Sequence, residues 1–277
     1  TAVLRDLLGN VKGTLGIEGH LPFKIYQQIV AAFPQIKIRN ASDMLGEARL
    51  VKSKEEIEYM RKAARIVEKG VKVGRECIQG SITEKEISLE IERAMLKHGA
   101  ESISYCVVQT GAKTATWNPP SEDRIKKGDF FLMDLCATYN GYYADITRMT
   151  VVGKPSEKQK KVYGVVQEAQ SKAIGAIWDG VKAGAVNDAG RKVIDERGYG
   201  KYQPFGIGHG LGLEVHEIPH LTEYKDTEMV LRPGMVMTIE PTINFPGEFG
   251  IRIEDDVLVT VGGRERLTTL GRELVQI

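Results

Sequence analysis

The sequence predicts an α+β domain made of two similar halves, preceded by a short α/β fragment. Three observations predict it. Each half reads, in order, long helix, glycine break, short helix, strands and hairpin. Each half closes on a hairpin that carries one acidic pair. The 277 residues, 42% of them hydrophobic, suffice for one large domain with a fragment attached. A repeat of roughly 100 residues, present twice, is too long and too rare for a solenoid.

Residues 1–48 form the fragment. A strand over 15–18, a helix over 21–32 and a strand over 36–38 are too little to hold a core alone. They read as the tail of an N-terminal domain whose beginning is absent. Thr1 in place of an initiator Met fits a processed chain or a fragment.

The main domain is expected over 49–277. Ser53-Lys-Glu-Glu56 is a capping box, in which Ser accepts an orphan amide and Glu reaches back. Behind it Ile57, Met60, Ala64, Val67 and Val71 recur at helical spacing. Gly80 is expected to break the chain. Thr83 and Glu86 form a second box, and its helix, with Ile87, Ile91 and Met95, stops at Gly99. A strand over 104–109 and a Pro-rich loop over 110–121 follow.

The first hairpin comes next. Phe130-Phe131-Leu132-Met133 reads as a buried strand, and Asn140-Gly141 as a type I′ turn, which needs two residues tolerant of positive φ. Folding about that turn sets Thr138 against Tyr143, Cys136 against Asp145 and Asp134 against Thr147. Period-two alternation then places Asp134, Cys136, Asp145 and Thr147 on one face. Two carboxylates so close need a cation or a raised pKa.

The second half repeats the order. Ser156 and Gln159 make a third box, with Val162, Val165, Val166, Ala169, Ala173 and Ile177 behind it. Gly184 is expected to break this helix, Asn187 to cap a shorter one, and Gly198 and Gly200 to end that one. A glycine-rich strand precedes the second hairpin. Pro246-Gly247 marks its turn, and centring on Gly247 sets Glu240 opposite Glu254, with Ile239, Ile251 and Ile253 on the other face. A single acidic residue is usually a solvated charge. Two pairs at matched places in two repeats point to a site.

Residues 206–220 hold three of the five histidines. The glycines run G-x-G-x-G-x-G, which lacks the third glycine of a dinucleotide fingerprint. His216-Glu-Ile-Pro-His220 spells H-E-x-x-H, a zinc motif only on a helix. Pro219 and the upstream glycines oppose a helix. As extended chain, the segment puts His209 on a bare glycine strand that ligands can approach. Taken alone, His209 reads equally as a buried structural histidine and His216 as a turn residue. Four carboxylates and one imidazole match two divalent ions with a bridging hydroxide as nucleophile.

Charge narrows the partners. The 38 basic and 37 acidic residues nearly cancel, so no bulk field draws nucleic acid or an anionic membrane. No window reads as a membrane span or a signal peptide. Cys77, Cys106 and Cys136 are odd in number and lack metal or disulfide spacing, so a reducing cytoplasm is expected.

These motifs together resemble the pita-bread metallopeptidases, which include methionine aminopeptidase, Xaa-Pro aminopeptidase, Xaa-Pro dipeptidase and the metal-free creatinase. The matching stretches are Asp134-Leu with the Gly141 to Arg148 run, Gly208-His209-Gly210 with His216-Glu217-Ile-Pro219, Thr238-Ile-Glu240-Pro241, and Ile251-Arg-Ile-Glu254-Asp255. The short Glu240–Glu254 spacing resembles the Xaa-Pro branch, and residues 1–48 resemble the end of that branch's N-terminal domain. The resemblance implies the pita-bread fold and two divalent ions, Mn, Co, Zn or Fe. It implies Asp134, Asp145, His209, Glu240 and Glu254 as ligands, with Asp145 and Glu254 shared. It makes Glu240 the carboxylate beside the nucleophilic water and puts His216, His220 and Trp117 on the substrate side. A homodimer acting on a peptide or small-molecule substrate is implied too.

Three positions depart from the family pattern. Trp117 stands where the Pro-rich loop usually carries a histidine, Cys136 where a glycine is usual, and Met149 where a threonine is usual. Trp117 is expected either to narrow the pocket as a buried indole or to anchor its loop. Cys136 is expected to be a small buried hydrophobe rather than a thiolate. Peptide hydrolysis leads; the alternative is a non-peptidase of the same fold acting on a small amide, amidine or carboxylate.

Overall fold

The computed structural model describes residues 3, 4, 6, 9, 12–78 and 82–277, and the chain falls into two units, Thr1–Arg49 and Leu50–Ile277. In the first unit, strand β1 (Gly13–Ile17) pairs in parallel with β2 (Ile36–Asn40), Leu15 lying opposite Ile38. Parallel strands need a crossover, and helix α1 (Phe23–Ala32) supplies it. It starts two residues later than expected because Pro22 holds an extended ψ of 131°. Ile29, Phe33 and Ile36 form a small core. A helix the sequence reading passed over, α2 (Ser42–Arg49), closes the unit.

The second unit opens with helices α3 (Lys54–Cys77) and α4 (Glu84–Lys97), each begun by the expected capping box. Strands β3 (Ile103–Thr110), β4 (Phe130–Tyr139) and β5 (Tyr142–Val151) follow. The loop after β3 contains a short 3-10 turn, Gly111–Ala115. Helix α5 (Glu157–Ala176) starts at the third capping box, and α6 (Ala183–Glu196) follows it. The remaining strands are β6 (Gly208–Gly210), β7 (Glu217–Leu221), β8 (Val236–Ile239), β9 (Thr242–Phe245), β10 (Phe249–Arg252), β11 (Asp255–Thr260), β12 (Gly263–Arg266) and β13 (Val275–Gln276).

Two larger sheets result, ordered β13-β5-β4-β3 and β12-β11-β8-β6-β7. The apolar stripes of α3 and α4 cover the first, joining Met60, Val67, Ile87 and Ile91 to Met133 and Leu135. In the second half Val162, Val166 and Ile194 pack with Phe130, Leu132 and Met149. The sheets meet where β5 passes β11. There the Glu254 amide donates to the Thr147 carbonyl at 3.2 Å, and the Asp145 amide to Asp256 Oδ2 at 3.0 Å. Arg148, fully buried, ties the seam by donating to the Glu254 carbonyl and to Asp255 Oδ1, both at 2.6 Å.

Gly184 does not break α5 and Asn187 does not cap α6: α5 ends at Ala176, Lys182 is the N-cap of α6, and both residues lie inside that helix. Gly184 is there for close approach, since a Cβ on it would lie 3.0 Å from Thr227 Cβ and 3.1 Å from the Thr227 carbonyl oxygen. Gly80 lies outside the described residues. Among the described residues no helix is long and apolar enough to cross a membrane.

Candidate metal centre

The first hairpin has the expected register throughout. Asp134 lies opposite Thr147, Cys136 opposite Asp145 and Thr138 opposite Tyr143. Asn140 and Gly141 take φ of 47° and 77°, the two positive values a type I′ turn requires. Asp134, Asp145 and Thr147 are buried on the face turned to the seam. Thr147 Oγ1 donates to Glu254 Oε2 at 2.7 Å, and the Tyr105 hydroxyl donates to Asp145 Oδ2.

The second hairpin turns at Gly247, φ 79°. Ile239 pairs with Asp255, and Thr242 with Arg252, so one register runs through both ladders and sets Glu240 against Glu254. The ladder is interrupted there, because Pro241 has no amide to donate. There the Glu240 amide donates to the Ile207 carbonyl at 2.6 Å instead, and the Glu254 amide to that of Thr147. The opposing residues Ile239, Ile251 and Ile253 are fully buried.

Strand β6 threads between β7 and β8. A Cβ on Gly208 would lie 2.0 Å from the Thr238 carbonyl oxygen, and one on Gly210 would lie 2.2 Å from that of Ile218. Only glycine admits neighbours this close. The His209 ring is oriented through Nδ1, 2.9 Å from the Gly210 carbonyl oxygen. Nε2 faces the carboxylates, 3.3 Å from Glu240 Oε1. Burial would lower the pKa of the ring, but the hydrogen bond and charge of Glu240 outweigh it and raise it, which favours the imidazolium with both nitrogens protonated while no cation is bound. The H-E-x-x-H stretch is extended, as expected: β7 begins at Glu217.

These elements bring the acidic pairs and His209 together. One ligand atom each from Asp145, His209 and Glu254 lie within 4.8 Å of one another. Asp134 and Glu240 line the same cleft, of about 270 Å³. Burial, then the charge of Asp134, pushes Asp145 well above the ordinary carboxylate range; burial, then Asp145, does the same to Glu254. Asp134 is raised by burial, partly offset by Arg252. Burial would raise Glu240 as well, but the hydrogen bond and charge of His209 outweigh it and hold Glu240 low. Asp134 Oδ1 and Asp145 Oδ1 are buried with no hydrogen-bond partner. Buried carboxylate oxygens without donors are costly. Hard oxygen donors beside one imidazole suit a divalent cation, so the residues present fit the implied metals.

Arg252 is the chief residue the sequence reading passed over. Its guanidinium is ion-paired with Asp134 and donates to Thr147 Oγ1 at 3.0 Å. The signal was present: Arg252 stands two residues before Glu254 on a strand, hence on the same face. Tyr105 could likewise have been found, since it lies opposite Cys136 in the β3–β4 ladder and so shares the face of Asp134. Glu217 anchors the loop ahead of it. Its Oε1 accepts the Leu213 and Glu214 amides, and its Oε2 takes the buried Lys52 ammonium at 2.8 Å.

On the open side of the cleft lie Trp117, Phe205, His216 and His220. The Trp117 indole is 56% exposed, so it does not narrow the pocket as a buried ring. It rests on Arg252 instead, with Cζ 4.1 Å from the ring centroid. The His216 ring centroid is 4.3 Å from that of His209, and burial, then His209, lowers its pKa. His220 Nδ1 is 2.8 Å from Asp226 Oδ2. Cys136 is fully buried, and burial, then Asp145, pushes its thiol well up, so it is a neutral filler. Met149 belongs to the core against α5.

The model of metallopeptidase family M24 matches residues 58–261. The Xaa-Pro dipeptidase of Pyrococcus furiosus is 40% identical over 272 residues, 98% of this chain and 77% of that protein. That of Pyrococcus horikoshii is 39% identical over 264 residues, 95% of this chain and 75% of its own. The crystal structure of the prolidase from Pyrococcus horikoshii OT3 superposes with a TM-score of 0.93 at 38% identity, covering 99% of this chain and 78% of the other. The X-Pro aminopeptidase from Thermotoga maritima MSB8 gives 0.92 at 34% identity, covering 100% and 78%. The two-halved α+β architecture is therefore the pita-bread fold.

Proposed function

This chain belongs to metallopeptidase family M24, and from that premise we propose that it hydrolyses Xaa-Pro peptides, as a dipeptidase or aminopeptidase, at a centre of two divalent cations. The proposed ligands are Asp134, Asp145, His209, Glu240 and Glu254, with Asp145 and Glu254 shared. The observation that supports this is the buried donor set with orphaned oxygens on Asp134 and Asp145. Mn²⁺, Co²⁺, Fe²⁺ and Zn²⁺ all suit such donors. When bound, the pair would polarise the scissile carbonyl and lower the pKa of a water enough for it to act at neutral pH.

The chain's own groups do the rest. Glu240 takes the proton of the attacking water on a carboxylate oxygen and passes it to the departing amine. His216, neutral at pH 7 because burial and His209 depress its pKa, donates its ring N–H to the developing oxyanion. Trp117 and His220 complete the substrate side.

A second reading keeps the fold and the metals but takes a small amide, amidine or carboxylate as substrate. Trp117 favours it, because an indole lying on Arg252 occupies the place where the family's loop usually offers a histidine. Metal analysis of the purified protein, followed by a screen of Xaa-Pro dipeptides and longer Pro-containing peptides with Mn²⁺, Co²⁺ or Zn²⁺, tests both. Two ions per chain with Xaa-Pro turnover supports the peptidase. Two ions with no turnover of any peptide supports the alternative. Protein that binds no divalent metal sinks both.

A further inference from the structure

His209 and His220 stand directly opposite each other in the β6–β7 ladder. Both rings are held through Nδ1. For His209 the partner is the neutral Gly210 carbonyl, 2.9 Å away. For His220 it is the carboxylate of Asp226, 2.8 Å away. A carboxylate accepts only, so it selects the tautomer with the proton on Nδ1 and leaves His220 Nε2 for the cleft it lines.

Asp226 is built for this contact. The same Oδ2 accepts the His220 backbone amide at 2.9 Å, so one oxygen holds both the ring and the strand that carries it. Asp226 sits at φ 56°, a left-handed conformation uncommon for a residue with a side chain. The turn leading to it is closed by Thr222 Oγ1, which accepts the Lys225 amide at 3.1 Å. The Asp226 backbone carbonyl is used too, accepting the Met229 amide at 2.9 Å. A loop bent back six residues to place one carboxylate on one imidazole is more than a surface ion pair.

We propose that Asp226 is a positioning residue for substrate binding, acting through His220 by fixing its tautomer and ring orientation so that Nε2 faces the substrate. This rests on the peptidase reading for its kinetic arm only. His220 lines the cleft but is not among the converging ligand atoms of Asp145, His209 and Glu254, so the effect falls on KM rather than on kcat or metal content.

Two variants separate charge from contact. Asp226→Gly removes the acceptor where glycine tolerates the backbone, and Asp226→Asn keeps an acceptor oxygen without the charge. Nitrogen-15 spectra of histidine-labelled protein at about pH 9, above the ordinary imidazole range, should show His220 protonated on Nδ1 in the wild type and in Asp226→Asn. Asp226→Gly should show a mixture of tautomers. Loss of such an orienting partner should raise KM for an Xaa-Pro dipeptide by about 10-fold or more in Asp226→Gly, with kcat and bound metal within about twofold of wild type. In a His220→Gln background Asp226→Gly should have no further effect, since the two act as one unit. An unchanged His220 tautomer in Asp226→Gly, or KM effects that multiply independently in the double variant, would overturn the proposal. Wild-type protein with no Xaa-Pro turnover would strike the peptidase reading, and the tautomer result would then decide on Asp226 by itself.

Discussion

Trp117 lies over the guanidinium of Arg252, 4.1 Å from ring centroid to Cζ, and Arg252 is in turn ion-paired with Asp134. An indole at the mouth of the cleft thus reaches a proposed metal ligand through a single cation. Such a stack contributes about 0.5–2 kcal/mol, more as it is desolvated.

A divalent ion held by Asp134 would compete with Arg252 for the same carboxylate. In Trp178→Phe, Trp117 is the one tryptophan left of two. Its emission should change saturably as Mn²⁺ or Zn²⁺ is titrated into metal-stripped protein. Emission that stays flat while metal is bound would show that Arg252 does not respond to loading.

Asp145→Asn should abolish tight binding of two metals, because it removes a carboxylate proposed to be shared by both ions. The metal-free variant should nevertheless be more stable than the metal-free wild type at neutral pH. Asp145 and Glu254 are raised by burial and by neighbouring carboxylates, so their charged forms are penalised in the fold. A gain of about 1 kcal/mol would lift the melting midpoint by roughly 2–4 °C in a domain of this size. Calorimetry with and without chelator checks both halves, and a lower midpoint in the variant's metal-free form would refute the second.

Glu84, fully buried on α4, staples the loop that carries Trp117. It accepts the Thr110 amide at 2.7 Å and the Ser121 amide at 3.1 Å, and pairs with Lys113 at 2.5 Å. Glu84→Ala strips a buried partner from two amides and an ammonium, and should cost about 3 kcal/mol. Chymotrypsin should then cut after Trp117 well below the global melting point. A loop as resistant as wild type would mean that other contacts hold it.

Glu68→Gln tests a pH dependence. Burial alone would raise the Glu68 pKa, but Arg65 and the amides of Thr269 and Leu270 outweigh it and hold it below the ordinary 4.5. A depressed carboxylate contributes stability above its unfolded pKa and loses it as pH falls through the folded one. Wild type should therefore exceed Glu68→Gln by about 1–3 kcal/mol near neutrality. The gap should close as the pH drops from about 4.5 downward. Denaturant melts at pH 7 and pH 3 measure it, and a gap that stays constant would exclude the ionised carboxylate as its source.

Much of this protein follows from short-range rules. Asn140-Gly141 determined the first hairpin's register, because a type I′ turn admits few other residues and strand alternation then sorts every side chain by face. Gly247 did the same for Glu240 and Glu254. The three capping boxes set the helix starts, since each satisfies its own orphan amides within four residues. Pro219 and the upstream glycines ruled out a helical zinc motif. The tertiary structure decided what depends on chain segments far apart. Gly184 was misread as a breaker because its reason is Thr227, a contact that helical propensity cannot register. Arg252 on Asp134, Trp117 on Arg252, Lys52 on Glu217 and the orphaned oxygens of Asp134 and Asp145 all depend on segments far apart in the chain. Local sequence specifies which face a side chain takes; which charge waits for it there is set by packing, and in a buried site of low dielectric that neighbour governs the chemistry.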